Sequence, residues 1–186
     1  VQLVISDAHE GLKAAIGSVM LGASWQRCRV HFLRNALGVV PKGNADMVAA
    51  AIRTIFAQPD AEHVTEQFEQ IATMLGRQLP KVEQMMRAAR EDLLAFSGFP
   101  VAHWKKIWST NPLERLNREV KRRTDVVGVF PNPEALLRLA GAVLVEAHDE
   151  WQVSDRRYLS EGSMALLAPK PTEDPKEVAK PELMTA

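Results

Sequence analysis

The chain has 186 residues, 46% hydrophobic and 25% charged, which is enough apolar material for one domain, or for one domain with a second one inserted. It has no uncharged apolar run near the roughly 18 residues that a membrane span needs, and its first residues lack the features of a signal peptide, so we expect a soluble, cytoplasmic protein. The single cysteine excludes an internal disulfide and a cysteine-rich zinc module, and 23 basic against 23 acidic residues argue against a uniformly basic nucleic-acid binder.

Positive charge is concentrated in two segments. Residues 104–124 contain seven Lys or Arg and two Glu, and residues 25–42 contain four basic residues and no acidic one. Between them, residues 57–100 contain seven acidic and four basic residues. A polyanion would therefore meet the chain at the two basic segments.

The first elements are predicted to be a strand and a helix. The run VQLVI is short, apolar and β-branched, as in buried strands, and GLKAAIGSVM follows with apolar residues at helical spacing. A second strand is predicted over residues 25–30, before the chain turns helical at His31. This alternation indicates an α/β fold.

Three amphipathic helices are predicted in the middle of the chain. The first has Asn44 as a possible cap, the second runs from Asp60 to Gly76, and the third runs from Pro80 to Gly98. We interpret them as an all-α insertion, so that the protein is mostly helical overall.

Two further helices and a tail complete the prediction. Asn111 is predicted to cap a basic helix with Pro112 at its first position and Glu114 at its third, and PNPEALLRLAGAVLVEAHDEW supplies the last clear helix. Residues 169–186 hold four prolines among alternating Lys, Glu and Asp, which predicts a disordered tail.

Two carboxylates are candidates for the chemistry. Asp7 lies at the carboxyl end of a predicted strand, where open α/β sheets place working groups, although an Asp before a helix is often only an N-cap. Glu114 lies at the start of the basic helix, where a capping-box role is the alternative. As a pair they can hold Mg²⁺ or Mn²⁺, which prefer carboxylate and water ligands.

The basic helix carries the candidate DNA-binding residues. These are Arg115, Asn117, Arg118, Lys121, Arg122 and Arg123. Asn117, Arg118 and Lys121 follow Glu114 by three, four and seven positions and share its face, while the other three spread to the sides. The alternative is a solvated face on which Glu119 pairs with Arg115, Arg122 or Arg123.

Several motifs together carry a family resemblance. SDAHEGL follows the first strand, CRVHFLRN contains a CxxH pattern, and FPVAHWKKIWSTNPLERLNREVKRRTDVVGVFPN and a later W…RRYL follow in order. With these motifs, residues 1–167 resemble the C-terminal part of the mutator-family bacterial transposases, of the IS256 type. The resemblance implies an RNase H-like catalytic core in two parts, residues 1–43 and 104–168, interrupted by the all-α insertion at residues 44–103.

The resemblance also implies an activity. Such transposases use an Asp, Asp, Glu triad with two divalent metal ions to cleave transposon ends and join them to target DNA. Asp7 matches the second aspartate and Glu114 the glutamate, with Mg²⁺ or Mn²⁺ as cofactor, while Cys28 and His31 of the CxxH motif would support the active site. The implied partners are terminal inverted repeats, target DNA and further copies of the protein, with no membrane involved.

The sequence departs from the family pattern at its start. The family's first catalytic aspartate lies on an earlier strand, and no residue here precedes Val1, so we expect a fragment that lacks the first strands and is inactive in isolation. Two alternatives remain open: an RNase H-like nuclease that cuts without joining, and a non-catalytic DNA-binding remnant.

Overall fold

The computed structural model describes residues 1–153 and 158–167, and these are mostly helical, as predicted. In chain order the elements are β1 (Leu3–Ser6), α1 (Glu10–Val19), β2 (Ser24–Arg27), α2 (Arg29–Leu37), α3 (Ala45–Ile55), α4 (Ala61–Gly76), α5 (Pro80–Ala88), α6 (Arg90–Leu94), α7 (Val101–Ile107), α8 (Asn111–Val127), α9 (Pro133–Val153) and α10 (Glu161–Ala165). Two 3-10 turns lie at Lys42–Asn44 and Ala95–Gly98. The tail predicted at residues 169–186 lies outside the described residues. Of the helices described, none is long and apolar enough to cross a membrane.

Strands β1 and β2 form a parallel pair joined by α1. Leu3 is opposite Ser24 and Ser6 is opposite Arg27. The Trp25 indole N–H donates to Ser6 Oγ at 2.8 Å, which links β2 to the carboxyl end of β1. Strand β2 is shorter than predicted, because the chain turns helical at Arg29 rather than at His31.

The core lies among α2 to α7. Its cluster of buried side chains includes Phe32, Phe68 and Phe96, all fully buried. Burial of such side chains contributes roughly 1.5–3 kcal/mol each, so this helical bundle supplies most of the stability. The predicted Asp60 cap is confirmed, since its carboxylate accepts the N–H of His63, and α4 ends at Gly76 as predicted.

The third helix of the insertion is broken. The prediction of one helix from Pro80 to Gly98 was wrong, because the backbone leaves the helical conformation at Ala89 and again after Leu94. The fully buried Gln26 side chain stabilises the second break: its amide donates to the Leu93 carbonyl at 2.9 Å, and its carbonyl accepts the Phe96 N–H at 2.7 Å. These bonds connect β2 to the bundle.

The last two long helices, α8 and α9, pack mainly against each other. Helix α8 has no buried residue, and Val143 is the buried residue of α9. Between them, Arg123 contacts Glu146 at 3.3 Å. Helix α8 ends at Gly128, whose φ of 74° favours glycine.

Candidate active site

Three polar side chains that are far apart in the sequence meet where β1, α2 and α8 approach one another. Asp7 Oδ1 lies 4.0 Å from His31 Nδ1, and Glu114 Oε1 lies 3.9 Å from His31 Nε2. The imidazole is 19% exposed, whereas the two carboxylates are 56% and 52% exposed. The fold therefore brings both candidate carboxylates to opposite sides of His31.

Asp7 is not the N-cap of the helix that follows it. Helix α1 begins at Glu10 with His9 in the capping position, and Asp7 Oδ1 instead accepts the N–H of Ala8 at 2.8 Å. The capping alternative for Asp7 is therefore wrong, and the carboxylate stays accessible at the end of β1.

Glu114 is not part of a capping box either. Thr110, rather than Asn111, is the N-cap of α8, and its side chain makes no capping hydrogen bond to the helix. The shift places Glu114 at the fourth helical position, with its backbone N–H donating to the Thr110 carbonyl at 2.9 Å. Its carboxylate faces His31 instead of the helix end.

Cys28 connects the strands to the start of α8. Its side chain is fully buried, and its Sγ accepts the backbone N–H and the hydroxyl of Thr110 at 3.4 and 3.3 Å. Its own backbone N–H donates to the Ser6 carbonyl at 2.8 Å. Cys28 thus holds the N-cap of the Glu114 helix next to the end of β1, within the CxxH pattern that also supplies His31.

The site contains a polar atom that is free to bind a ligand. His31 Nδ1 is buried without a hydrogen-bond partner, and at 4.0 Å the Asp7 oxygen is beyond hydrogen-bonding distance. The carboxylate oxygens suit Mg²⁺ or Mn²⁺. In the part of the chain that the structure describes, no three His, Cys, Asp or Glu side chains are grouped to hold a metal ion. The oxygens of the two carboxylates are of a kind that suits such a cation.

The predicted DNA-binding residues on α8 fall into two groups. Glu119 accepts hydrogen bonds from Arg122 and Arg123, which lower the pKa of its carboxyl from 4.5 to about 2. By contrast Arg115, Arg118 and Lys121 are exposed and form no ion pair with any described residue. The pairing alternative thus holds for Arg122 and Arg123, whereas Arg115, Arg118 and Lys121 keep their charges unpaired among the described residues.

Sequence reasoning missed Thr110 as a positioning residue. Asn is a frequent N-cap, and its place directly before Pro112 favoured Asn111 over the preceding threonine. Local sequence contains no signal for the Thr110 bonds to Cys28, which join residues 82 positions apart.

The chain belongs to the mutator family of transposases, since the sequence profile described as "Transposase, Mutator family" matches residues 1–154. This confirms the resemblance inferred from the motifs. Over 159 residues the chain is 52% identical to the transposase for insertion sequence element IS1081 of Mycobacterium tuberculosis, covering 86% of the chain and 38% of that protein.

Two other relatives extend the comparison. The chain is 43% identical to the transposase for insertion sequence element ISRM5 of Rhizobium meliloti, over 84% of the chain and 39% of the relative. It is 39% identical to the transposase for IS256 in transposon Tn4001 of Staphylococcus aureus, over 86% of the chain and 41% of the relative. The chain therefore spans about two fifths of the length of these curated relatives.

Proposed function

We propose that this chain is part of a DNA transposase of the Asp, Asp, Glu type, which cleaves transposon ends and joins them to target DNA. The observation that carries the proposal is the approach of Asp7 and Glu114 to opposite nitrogens of His31, at 4.0 and 3.9 Å. Its membership of the mutator family supports the proposal, as does its similarity to transposases for insertion sequence elements.

The fold around the site supports an RNase H-like core interrupted by the helical insertion. The parallel strands β1 and β2 are joined by a helix, and Asp7 lies at the carboxyl end of β1, where open α/β sheets place functional groups. Helices α3 to α6 lie in the chain after Asp7 and His31 and before Glu114. We propose the divisions 1–43, 44–103 and 104–168 on this basis.

Asp7 and Glu114 would hold Mg²⁺ or Mn²⁺. A divalent ion supplies charge stabilisation for the phosphoryl oxygens and lowers the pKa of bound water. The remaining carboxylate ligand would come from the rest of the whole protein, because the chain spans only about two fifths of its relatives. Asp7 and Glu114 would thus supply two carboxylate ligands, and the rest of the protein would supply the third.

The other residues of the chain would position the carboxylates and the DNA. Cys28 holds Thr110, and Thr110 begins the helix that carries Glu114. Arg118 and Lys121 lie four and seven positions after Glu114, on the same face, so they would bind phosphates of the strand whose scissile group lies at the carboxylates. Transposon ends, target DNA and further copies of the protein are the proposed partners.

The test is Glu114→Gln in the full-length protein, with Asp7→Asn as its counterpart. Gln keeps the size and polarity of Glu but removes the charge that a divalent cation needs. We expect Mg²⁺-dependent cleavage and strand transfer to fall roughly a thousandfold or more, because the ion contributes several kcal/mol. DNA affinity should change by less than about twofold.

Glu66→Gln is the matched control, since Glu66 is exposed on α4 and makes no ion pair with a described residue. It should cleave as the unaltered protein does. Near-normal cleavage by Glu114→Gln would contradict the proposal. Cleavage without any joined product in the unaltered protein would favour a nuclease, and DNA binding without cleavage would favour a non-catalytic DNA-binding protein.

A further inference from the structure

A cleft of about 600 Å³ lies on the side of α2 away from the candidate active site. Its lining combines aromatic and cationic side chains. Those that matter here are Arg29, Arg53, Phe56, Trp104, Lys105 and Trp108. His31 follows Arg29 by two positions, and helical residues two apart face different sides, so the cleft and the carboxylates share α2 without sharing a surface.

The aromatic side of the cleft is rigid. Phe56, Trp104 and Trp108 are at least nine-tenths buried and belong to the core cluster. Trp104 and Trp108 each contact the ring of Phe96 edge to face, at centroid distances of 5.1 and 5.8 Å. These rings therefore form a fixed wall that does not have to be ordered when a ligand binds.

Arg29 is stacked on this wall. Its guanidinium carbon lies 3.8 Å from the centre of the Trp108 ring and 5.2 Å from that of Phe56. Burial lowers the pKa of Arg29, and the charge of Arg53 lowers it further. Arg29 is only half-buried and lines the cleft, so one part of the planar group is held by Trp108 while the rest is available to a ligand.

The charge of the cleft is positive and uncompensated. Arg53 and Lys105 are exposed at its rim, and neither they nor Arg29 form an ion pair within residues 1–153 and 158–167. None of the described residues that line the cleft is acidic. A planar ring system that carries a phosphate matches this combination, because bases stack on aromatic and guanidinium planes while cations bind the backbone.

We propose that the cleft binds one unpaired nucleotide of a DNA strand, with the base stacked on Arg29 and the neighbouring phosphates bound by Arg53 and Lys105. The proposal rests on the proposed action on DNA and adds a second contact, separate from the basic face of α8. That face binds duplex phosphates, whereas the cleft takes a nucleotide that has left the duplex.

The experiment measures binding of a fluorescein-labelled oligothymidylate by anisotropy over a series of salt concentrations. Arg29→Lys keeps the charge and loses the planar stacking group. We expect it to bind the single strand about tenfold more weakly with an unchanged salt slope. Arg53→Ala with Lys105→Ala should lower that slope by roughly 0.7 for each lost phosphate contact. The control is Arg77→Ala, which should have no effect, because Arg77 is exposed at the C-terminal end of α4 and does not line the cleft.

A labelled duplex separates this proposal from the proposed function. Arg29→Lys and the Arg53, Lys105 double variant should bind duplex DNA as the unaltered chain does, whereas changes on α8 should weaken it. Unchanged oligothymidylate binding by both cleft variants, or no binding by the unaltered chain, would overturn the cleft proposal while leaving the transposase proposal intact. Loss of single-strand binding in the cleft variants, together with normal cleavage by Glu114→Gln, would support the cleft proposal and overturn the transposase proposal.

Discussion

The helical bundle and the pair α8–α9 differ in how much apolar surface they bury. The core cluster, which runs from Phe32 to Trp108, draws all its members from the bundle and its immediate flanks. In the other region, Leu137 is 69% exposed and Trp151 is 64% exposed. The bundle can thus be stable through its own packing, whereas the α8–α9 pair leaves an apolar surface in contact with solvent.

The candidate active site lies where the two kinds of region meet. His31 belongs to α2, the first helix of the bundle, whereas Asp7 and Glu114 lie on the less buried strand and helix. The bonds from Thr110 to Cys28 attach α8 to the packed region. The comparison indicates that the bundle acts as a stable base, on which a few specific contacts hold the working groups in position.

The largest effect expected is on stability, and it tests this comparison directly. Leu93 is fully buried in the bundle, and Leu137 is mostly exposed on α9. Leu93→Ala should lower the free energy of unfolding by about 2–5 kcal/mol, and Leu137→Ala should change it by less than about 0.5 kcal/mol. Urea denaturation followed by circular dichroism measures both. Equal losses from these matched truncations would mean that α9 is packed as well as the bundle.

A smaller effect is expected on DNA affinity, and it sharpens the description of α8. Arg118 and Lys121 carry free charges, whereas Arg122 is paired with Glu119 at 2.7 Å. Arg118→Ala and Lys121→Ala should each lower the salt slope of duplex binding by about 0.9, as expected for a lost phosphate contact. Arg122→Ala should lower it by less.

The same salt series can also contradict this description of the charges on α8. An unchanged slope after loss of Arg118 and Lys121 would leave these two residues as solvated charges. An equal reduction for Arg122→Ala would show that DNA displaces Glu119 from its partner. Lys81, exposed on α5 in the bundle, provides the control, since Lys81→Ala should leave the slope unchanged.

The smallest effect expected is the loss of the Glu119 ion pairs on α8 at acidic pH. The pKa of Glu119 is lowered from 4.5 to about 2, so its pairing is fully present above pH 4.5 and is lost as the pH falls towards 2. Because these ion pairs lie within α8 and are open to solvent, we expect a slight loss of stability of α8 in this window, and less of it at high salt. Nuclear magnetic resonance of the Arg122 and Arg123 side-chain N–H groups reports on it. In Glu119→Gln the Arg122 signal should not move between pH 5 and about 2, whereas movement there would assign the titration to another carboxylate. Arg123 also contacts Glu146, so its signal is not used for this test.

Much of the local structure could be predicted from the sequence. The strand before Asp7, the Asp60 cap, the end of α4 at Gly76 and the basic helix after Trp108 each follow from signals within a few residues. The motifs also identified the family, and they selected Asp7 and Glu114, whose catalytic roles stay predictions. The inferences about local structure and family succeeded because caps, glycine ends and apolar periodicity act within one or two turns of a helix, and because motifs are read directly from residue order.

Contacts between distant segments were decided only by the tertiary structure. The second break of the third insertion helix depends on Gln26, 67 positions before Leu93, and the N-cap of α8 at Thr110 depends on Cys28, 82 positions earlier. Two other contacts also join segments that are far apart in the sequence. His31 lies between two carboxylates, and Arg29 stacks on Trp108. Such contacts depend on how buried side chains fill the space between elements, and no local pattern of residues encodes that geometry.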